Sequence, residues 1–254
     1  MKIATWRNTR RRRLADSCIL AVVAAAAFFA LSALGTWQLQ RRAWKHELIA
    51  EVDARVRATP EPPPPPALWP SISAGRDAYR HVRAHGYFLN GRETLVQAVT
   101  TKAAGFWVMT PLVTDSGFTV LVNRGFIPAG QSDPANLAAR QVEGDVTVTG
   151  LLRMSEPGGG FLRTNAPAEG RWYSRDVAAI AAARGVSPTA PYFIDADGTP
   201  NPGGLPISGL TVIRFADNHL IYALTWYGLA MGLAAGCVVV AHGETDRRRA
   251  AGAA

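Results

Sequence analysis

Cysteine is almost missing from this sequence: of 254 residues only Cys18 and Cys237 are cysteines, and both lie in long apolar runs. The stretch between those runs has none. It therefore folds without disulfides and cannot offer a thiolate pair to a soft metal, which excludes thioredoxin-like and thiolate-based metal-delivery roles. Charge is also scarce, at 18% of residues. There is no G-x-S-x-G, no Gly-rich phosphate loop and no internal repeat. No enzyme class has positive support, and a non-enzymatic role is expected.

What charge there is lies unevenly. The formal net charge is +8. Residues 1–17 carry six Lys/Arg and one Asp, and residues 242–254 carry three Arg against Glu244 and Asp246. Residues 40–218 hold 18 basic and 16 acidic residues, leaving only +2 on the middle of the chain. A nucleic-acid face needs clustered charge on the folded domain, so no nucleic-acid partner is expected.

Two apolar segments set the class. Residues 18–39 run uncharged, with Trp37 near the end, and Leu220–Ala241 is a further uncharged stretch. Each is long enough to cross about 30 Å of hydrocarbon. Arg10 to Arg13 precede the first and Arg247 to Arg249 follow the second. The positive-inside rule then places both termini in the cytoplasm and the middle outside, in a bacterial-type inner (plasma) membrane with the main domain periplasmic. The expected organisation is a basic N-terminus (1–17), a first transmembrane helix (18–39), a periplasmic β-rich domain (40–218), a second transmembrane helix (219–241) and a cytoplasmic tail (242–254). A cleaved signal peptide is the alternative for the first span, with Ala30-Leu31-Ser32 as the cut site.

Residues 38–57 lack Gly and Pro, so the first helix should continue past the bilayer. Pro62 to Pro66 reads as a stiff polyproline linker. From Tyr79 short strand-like runs alternate with turn residues: Tyr79–Phe88, Thr94–Thr100, Phe106–Val113, Phe118–Phe126, Asp145–Arg153, Arg171–Arg175, Tyr192–Asp195 and Leu210–Phe215. Leu89-Asn90-Gly91-Arg92 suggests a type I′ hairpin, and Asp115-Ser116-Gly117 another turn. Asp176–Arg184 is a short helix, capped by Asp176 and stopped by Gly185. The fold class is therefore an α+β membrane protein: two transmembrane helices flanking a mainly antiparallel β domain, barrel- or sandwich-like, with short helices.

His81 and His85 share a strand face but sit about 13 Å apart, too far for one metal ion. Asp195-Ala196-Asp197-Gly198 lacks the glycine and glutamate positions of a calcium loop and reads as a turn. The start of the second span is more informative. At 100° per residue His219, Tyr222 and Trp226 form one stripe, and Gly228, Gly232 and Gly236 form another on the far side with Thr225. The small-residue ridge is expected to pack on the first span. The aromatic stripe leaves two readings open: His219 ligating a haem iron beside Tyr222 and Trp226, or all three anchoring the helix at the interface.

Several blocks now assemble in order. The first span ends Leu34-Gly35-Thr36-Trp37-Gln38-Leu39-Gln40-Arg41, followed by Trp44-Lys45. The middle carries Gly105-Phe106-Trp107-Val108-Met109-Thr110-Pro111-Leu112 and Val120-Leu121-Val122-Asn123-Arg124-Gly125-Phe126-Ile127-Pro128. Gly150-Leu151-Leu152-Arg153 and Trp172-Tyr173 come next, then Asn218-His219-Leu220-Ile221-Tyr222-Ala223-Leu224-Thr225-Trp226. Together these resemble the Surfeit locus protein 1 family over nearly the whole chain. Phe126 stands where the family usually has Trp. The resemblance implies an assembly factor for haem-copper cytochrome c oxidase, assisting haem a insertion into the catalytic subunit or stabilising that subunit. It implies the catalytic subunit, other assembly factors and the lipid bilayer as partners, transient haem a as cofactor, and His219 as its ligand. The alternative is a structural membrane chaperone that never touches haem. Arg124 has two readings, a surface or ion-paired residue and a partner contact.

Overall fold

A computed structural model describes residues 2–100, 103–160, 162–198, 201–211, 213 and 215–252. The chain divides into two compact units, one of residues 1–49 with 215–254 and one of residues 50–214.

The first unit is a pair of antiparallel helices. Helix α1 covers Lys2–Arg57 without a break, as the lack of Gly and Pro after residue 38 requires, and α5 covers His219–Gly252. Their stretches Cys18–Arg57 and His219–Arg247 are long and apolar enough to cross a membrane. Many of their large apolar side chains are exposed, including Ile19, Val22, Phe29, Leu224, Met231 and Val239. A water-soluble helix pair would not expose so much contiguous apolar area.

The second unit is a β-barrel of β1 (His81–Phe88), β2 (Thr94–Val99), β3 (Ala104–Thr114), β4 (Thr119–Pro128), β5 (Asp145–Met154) and β6 (Thr189–Ala196). The short helix α2 (Ala74–Asp77) precedes β1, α3 (Pro134–Ala138) lies between β4 and β5, and α4 (Val177–Arg184) lies between β5 and β6. The sheet order is β1-β5-β6-β4-β3-β2, and β1 also pairs with β3, which closes the barrel. All pairings are antiparallel except β4 with β6. β4 is buried along nearly its whole length. Val120 and Val122 point into the barrel with Phe118, Tyr192 and Ile194, while Leu121 packs under α4 with Trp172, Ile180 and Phe193. A strand covered on both faces has no polar side, which is why this one reads as a continuous apolar run.

Four expectations need correction. Leu89–Arg92 is a turn, with Arg92 N–H donating to the Leu89 carbonyl, but not a hairpin. β1 and β2 both pair with β3, at Phe88↔Leu112 and Thr94↔Met109 respectively, so the turn interrupts one line of pairing instead of reversing it. Arg171–Arg175 makes isolated bridges and no strand. Of the expected strand Leu210–Phe215, residues 212 and 214 lie outside the described set and the others form no strand. Asp195-Ala196 is the end of β6 and not a turn.

The proline run is not a free spacer either. Pro64 is buried, and its carbonyl accepts from Tyr192 Oη at 2.6 Å and Trp69 Nε1 at 3.1 Å. Trp69 stands edge-on to Phe118, with ring centroids 5.7 Å apart. The segment is a strap across the barrel end where β4 begins. A polyproline strand carries unpaired carbonyls, and here buried donors take one of them.

Candidate functional site

The polar residues of the helix pair gather where α5 begins. Asp217 lies just before the helix and accepts from the His219 backbone N–H at 3.1 Å. Across from it on α1, His46 Nε2 bonds Asp217 at 2.8 Å and Arg42 Nε lies 3.6 Å away. Lys45 Nζ donates to the Ala216 carbonyl. The His46 bond, with the His219 N–H next, holds the Asp217 carboxyl below the usual carboxylate range.

One turn deeper, His219 Nδ1 meets Gln38 Oε1 at 2.8 Å. An amide oxygen only accepts, so Nδ1 carries the proton of this bond. A neutral ring with that tautomer keeps its lone pair on Nε2, which has no hydrogen-bond partner among the described residues. Deeper still, a Cβ on Gly35 would lie 2.8 Å from the Tyr227 ring, and Tyr227 Oη bonds Thr36 Oγ1 at 2.9 Å. Gly35 is buried and lets the ring lie on the α1 backbone.

The aromatic stripe therefore divides. On α5, His219, Ala223, Trp226 and Ala230 are buried or half-buried, a spacing of four, three and four that meets one helix. Tyr222 is 54% exposed and faces away. The expected glycine packing is wrong: a Cβ on Gly228, Gly232 or Gly236 would meet nothing within 4 Å. The ridge lies opposite the contact face, because two alanines and an aromatic already supply the close approach. Trp37 is exposed on α1, and Arg41 lies over the Trp44 ring at 4.1 Å.

The motif residues of the barrel have packing roles. Asn123 Nδ2 bonds the buried Asp195 at 2.8 Å, and Arg153 and Arg175 complete the pairing of that carboxylate. A Cβ on Gly105 would lie 2.1 Å from the Ile127 carbonyl oxygen, and one on Gly125 (φ +132) would lie 2.2 Å from that of Ile207. Both glycines thus admit a neighbouring backbone. Pro111 sits on β3 between the last residue paired with β2 and the first paired with β1, and Thr110 beside it is buried. A proline costs least where one neighbour hands over to the next. Arg124 is buried and is neither a surface residue nor ion-paired among the described residues, although the Glu93 carboxylate favours its charge. His81 and His85 bond the Ala58 carbonyl and Asp115 separately.

The sequence model of the SURF1 family matches residues 24–231. Surfeit locus protein 1 of Rattus norvegicus is 39% identical over 214 residues, covering 77% of this chain and 67% of that protein. Its Homo sapiens counterpart is 37% identical over 215 residues, covering 78% and 69%. The SURF1-like protein of Monosiga brevicollis is 38% identical over 213 residues, covering 78% of each chain.

Proposed function

The chain belongs to the SURF1 family, and from that premise we propose that it is an assembly factor for a haem-copper cytochrome c oxidase. Its two spans hold it in a bacterial-type inner membrane with both termini cytoplasmic and the barrel periplasmic. It docks on the catalytic subunit, alongside other assembly factors, and makes or breaks no bond itself.

In this reading haem a is cargo and His219 is its ligand. The observation that carries the assignment is the Gln38–His219 bond. An imidazole that ligates iron commonly donates its other N–H to a fixed acceptor, which sets the tautomer and the ring plane. Gln38 is that acceptor here, and it leaves Nε2 unengaged. Tyr222, exposed one turn further on, offers a flat apolar face beside the site. Trp226 is turned toward α1 and supports the helix contact.

The same bond favours a second reading, a structural chaperone that binds no haem. A Gln–His bond between two helices in hydrocarbon also stabilises their packing. The absorption spectrum of detergent-purified protein, co-expressed with haem a synthesis, separates the two when wild type is set beside His219→Ala. A haem a band lost in the variant supports the ligand role. A band equal in both removes His219 as ligand. No band in either, with oxidase assembly still dependent on the protein, leaves the chaperone.

A further inference from the structure

The strap of Pro64 and Trp69 covers one end of the barrel, and the other end is open. There β1 ends, β4 reaches Arg124 and β5 begins. A cavity of about 300 Å³ lies in that mouth, walled by Phe88, Val122, Val142, Val146 and Val148, with Arg124 among them. This is the small end of the range for ligand pockets, and barrel mouths are a common place for them.

Arg124 is what makes the cavity unusual. It is only 4% exposed. Its Nη2 donates to two neutral acceptors, the Arg140 carbonyl at 3.0 Å and Asn201 Oδ1 at 3.2 Å. Its Nε is buried and donates to nothing, and Nη1 has no acceptor among the described residues. The guanidinium carbon lies over the Phe88 ring at 5.1 Å. Arg140, whose carbonyl serves Arg124, has its own buried Nη1 without a partner among the described residues. Asp197 is also on the wall, but it is half-exposed while Arg124 is deep. Glu93 favours the Arg124 charge without forming an ion pair with it among the described residues, and burial outweighs that and pushes its proton affinity down, because a buried guanidinium short of a contacting anion is costly. An anion delivered into the mouth would reverse that cost.

We propose that the barrel mouth binds a small carboxylic acid with an apolar body, its carboxylate paired with the Arg124 guanidinium and its body laid against Phe88 and the valines. Charge selects the head group and the valine wall selects the tail. A phosphate monoester would bring a second charge that the apolar wall cannot solvate. The inference concerns the barrel alone and does not rest on the oxidase reading.

The test is calorimetric titration of the full-length protein in detergent with hexanoate, and with hexanamide as the neutral isostere. Hexanoate should bind saturably, one per chain, and roughly 10-fold or more tighter than hexanamide. Arg124→Met should abolish that preference. Val146→Phe fills the cavity without touching Arg124 and should remove hexanoate binding, which keeps the test decisive if Arg124→Met does not fold. Equal affinity for acid and amide, hexanoate binding that survives Val146→Phe, or no hexanoate binding to the wild type would each overturn the proposal.

Discussion

At the scale of single residues, the contact between Gly35 and Tyr227 makes a sharp claim about which glycines matter. The Tyr227 ring occupies the space of a Gly35 side chain, whereas Gly232 faces no neighbour. Gly35→Ala should therefore push the ring away, break its bond to Thr36 and cost about 1–3 kcal/mol of thermal stability in detergent. Gly232→Ala should cost nothing, since alanine is the better helix former. Greater harm from Gly232→Ala than from Gly35→Ala in the purified protein would mean that the helices pack through the ridge after all. The sequence showed both glycine sets and the His219 stripe. It could not show which side of α5 turns inward, because a helical period defines faces without naming their partners. Gln38 was visible as a motif residue, but its pairing with His219 joins positions far apart in the chain. Arg124 was equally visible, and its burial was not, since an arginine's depth depends on what the tertiary fold lays over it.

At the scale of elements, local chemistry was the more legible part. Asp176 accepts from the Ala179 N–H and Gly185 closes α4 in the left-handed region, both as the cap rules require. Strand positions followed from alternation, while pairing did not. The Leu89–Arg92 turn has the residues of a hairpin, yet β3 is long enough to take both flanking strands on one edge. The four-residue α2 shows an element held by one side chain. Asp77 accepts from Ser73 N–H, Arg76 Nε and Arg80 Nη1 at 3.0 to 3.1 Å and is fully buried. Burial alone would raise its pKa, but the bonds from Arg76, Ser73 and Arg80 outweigh it and the pKa is lowered. A carboxyl whose folded pKa lies below the unfolded value stabilises above that unfolded value, near pH 4, and loses the contribution as pH falls through the folded one. Asp77→Asn should thus cost about 1–3 kcal/mol at pH 7 in chemical denaturation. The gap to wild type should shrink as pH drops below about 4. A gap independent of pH across that range would show that the carboxylate charge has no part in the effect.

At the scale of the whole molecule, the two units follow different rules, and the sequence reports each in its own terms. The helix pair is written in hydropathy and flanking arginines. The barrel is written in alternation, with β4 buried on both faces and its mouth lined by valine. The proposed orientation joins them: arginine-rich flanks inside, barrel outside. Cys18 and Cys237 are the only cysteines, so a cysteine-free background needs two substitutions. In that background Ser116→Cys places a thiol at the exposed β3–β4 turn, and Thr245→Cys places one near the arginines that follow the second span. A membrane-impermeant maleimide added to cells with a permeabilised outer membrane should label Ser116→Cys and spare Thr245→Cys until the inner membrane is broken. The reverse pattern would put the barrel in the cytoplasm. It would then face the wrong compartment for any partner that docks at the outer surface, and the arginine count, which is larger at the N-terminal flank, would have failed to set the topology. Labelling of both positions in intact inner membranes would mean that only one of the two helices spans the bilayer.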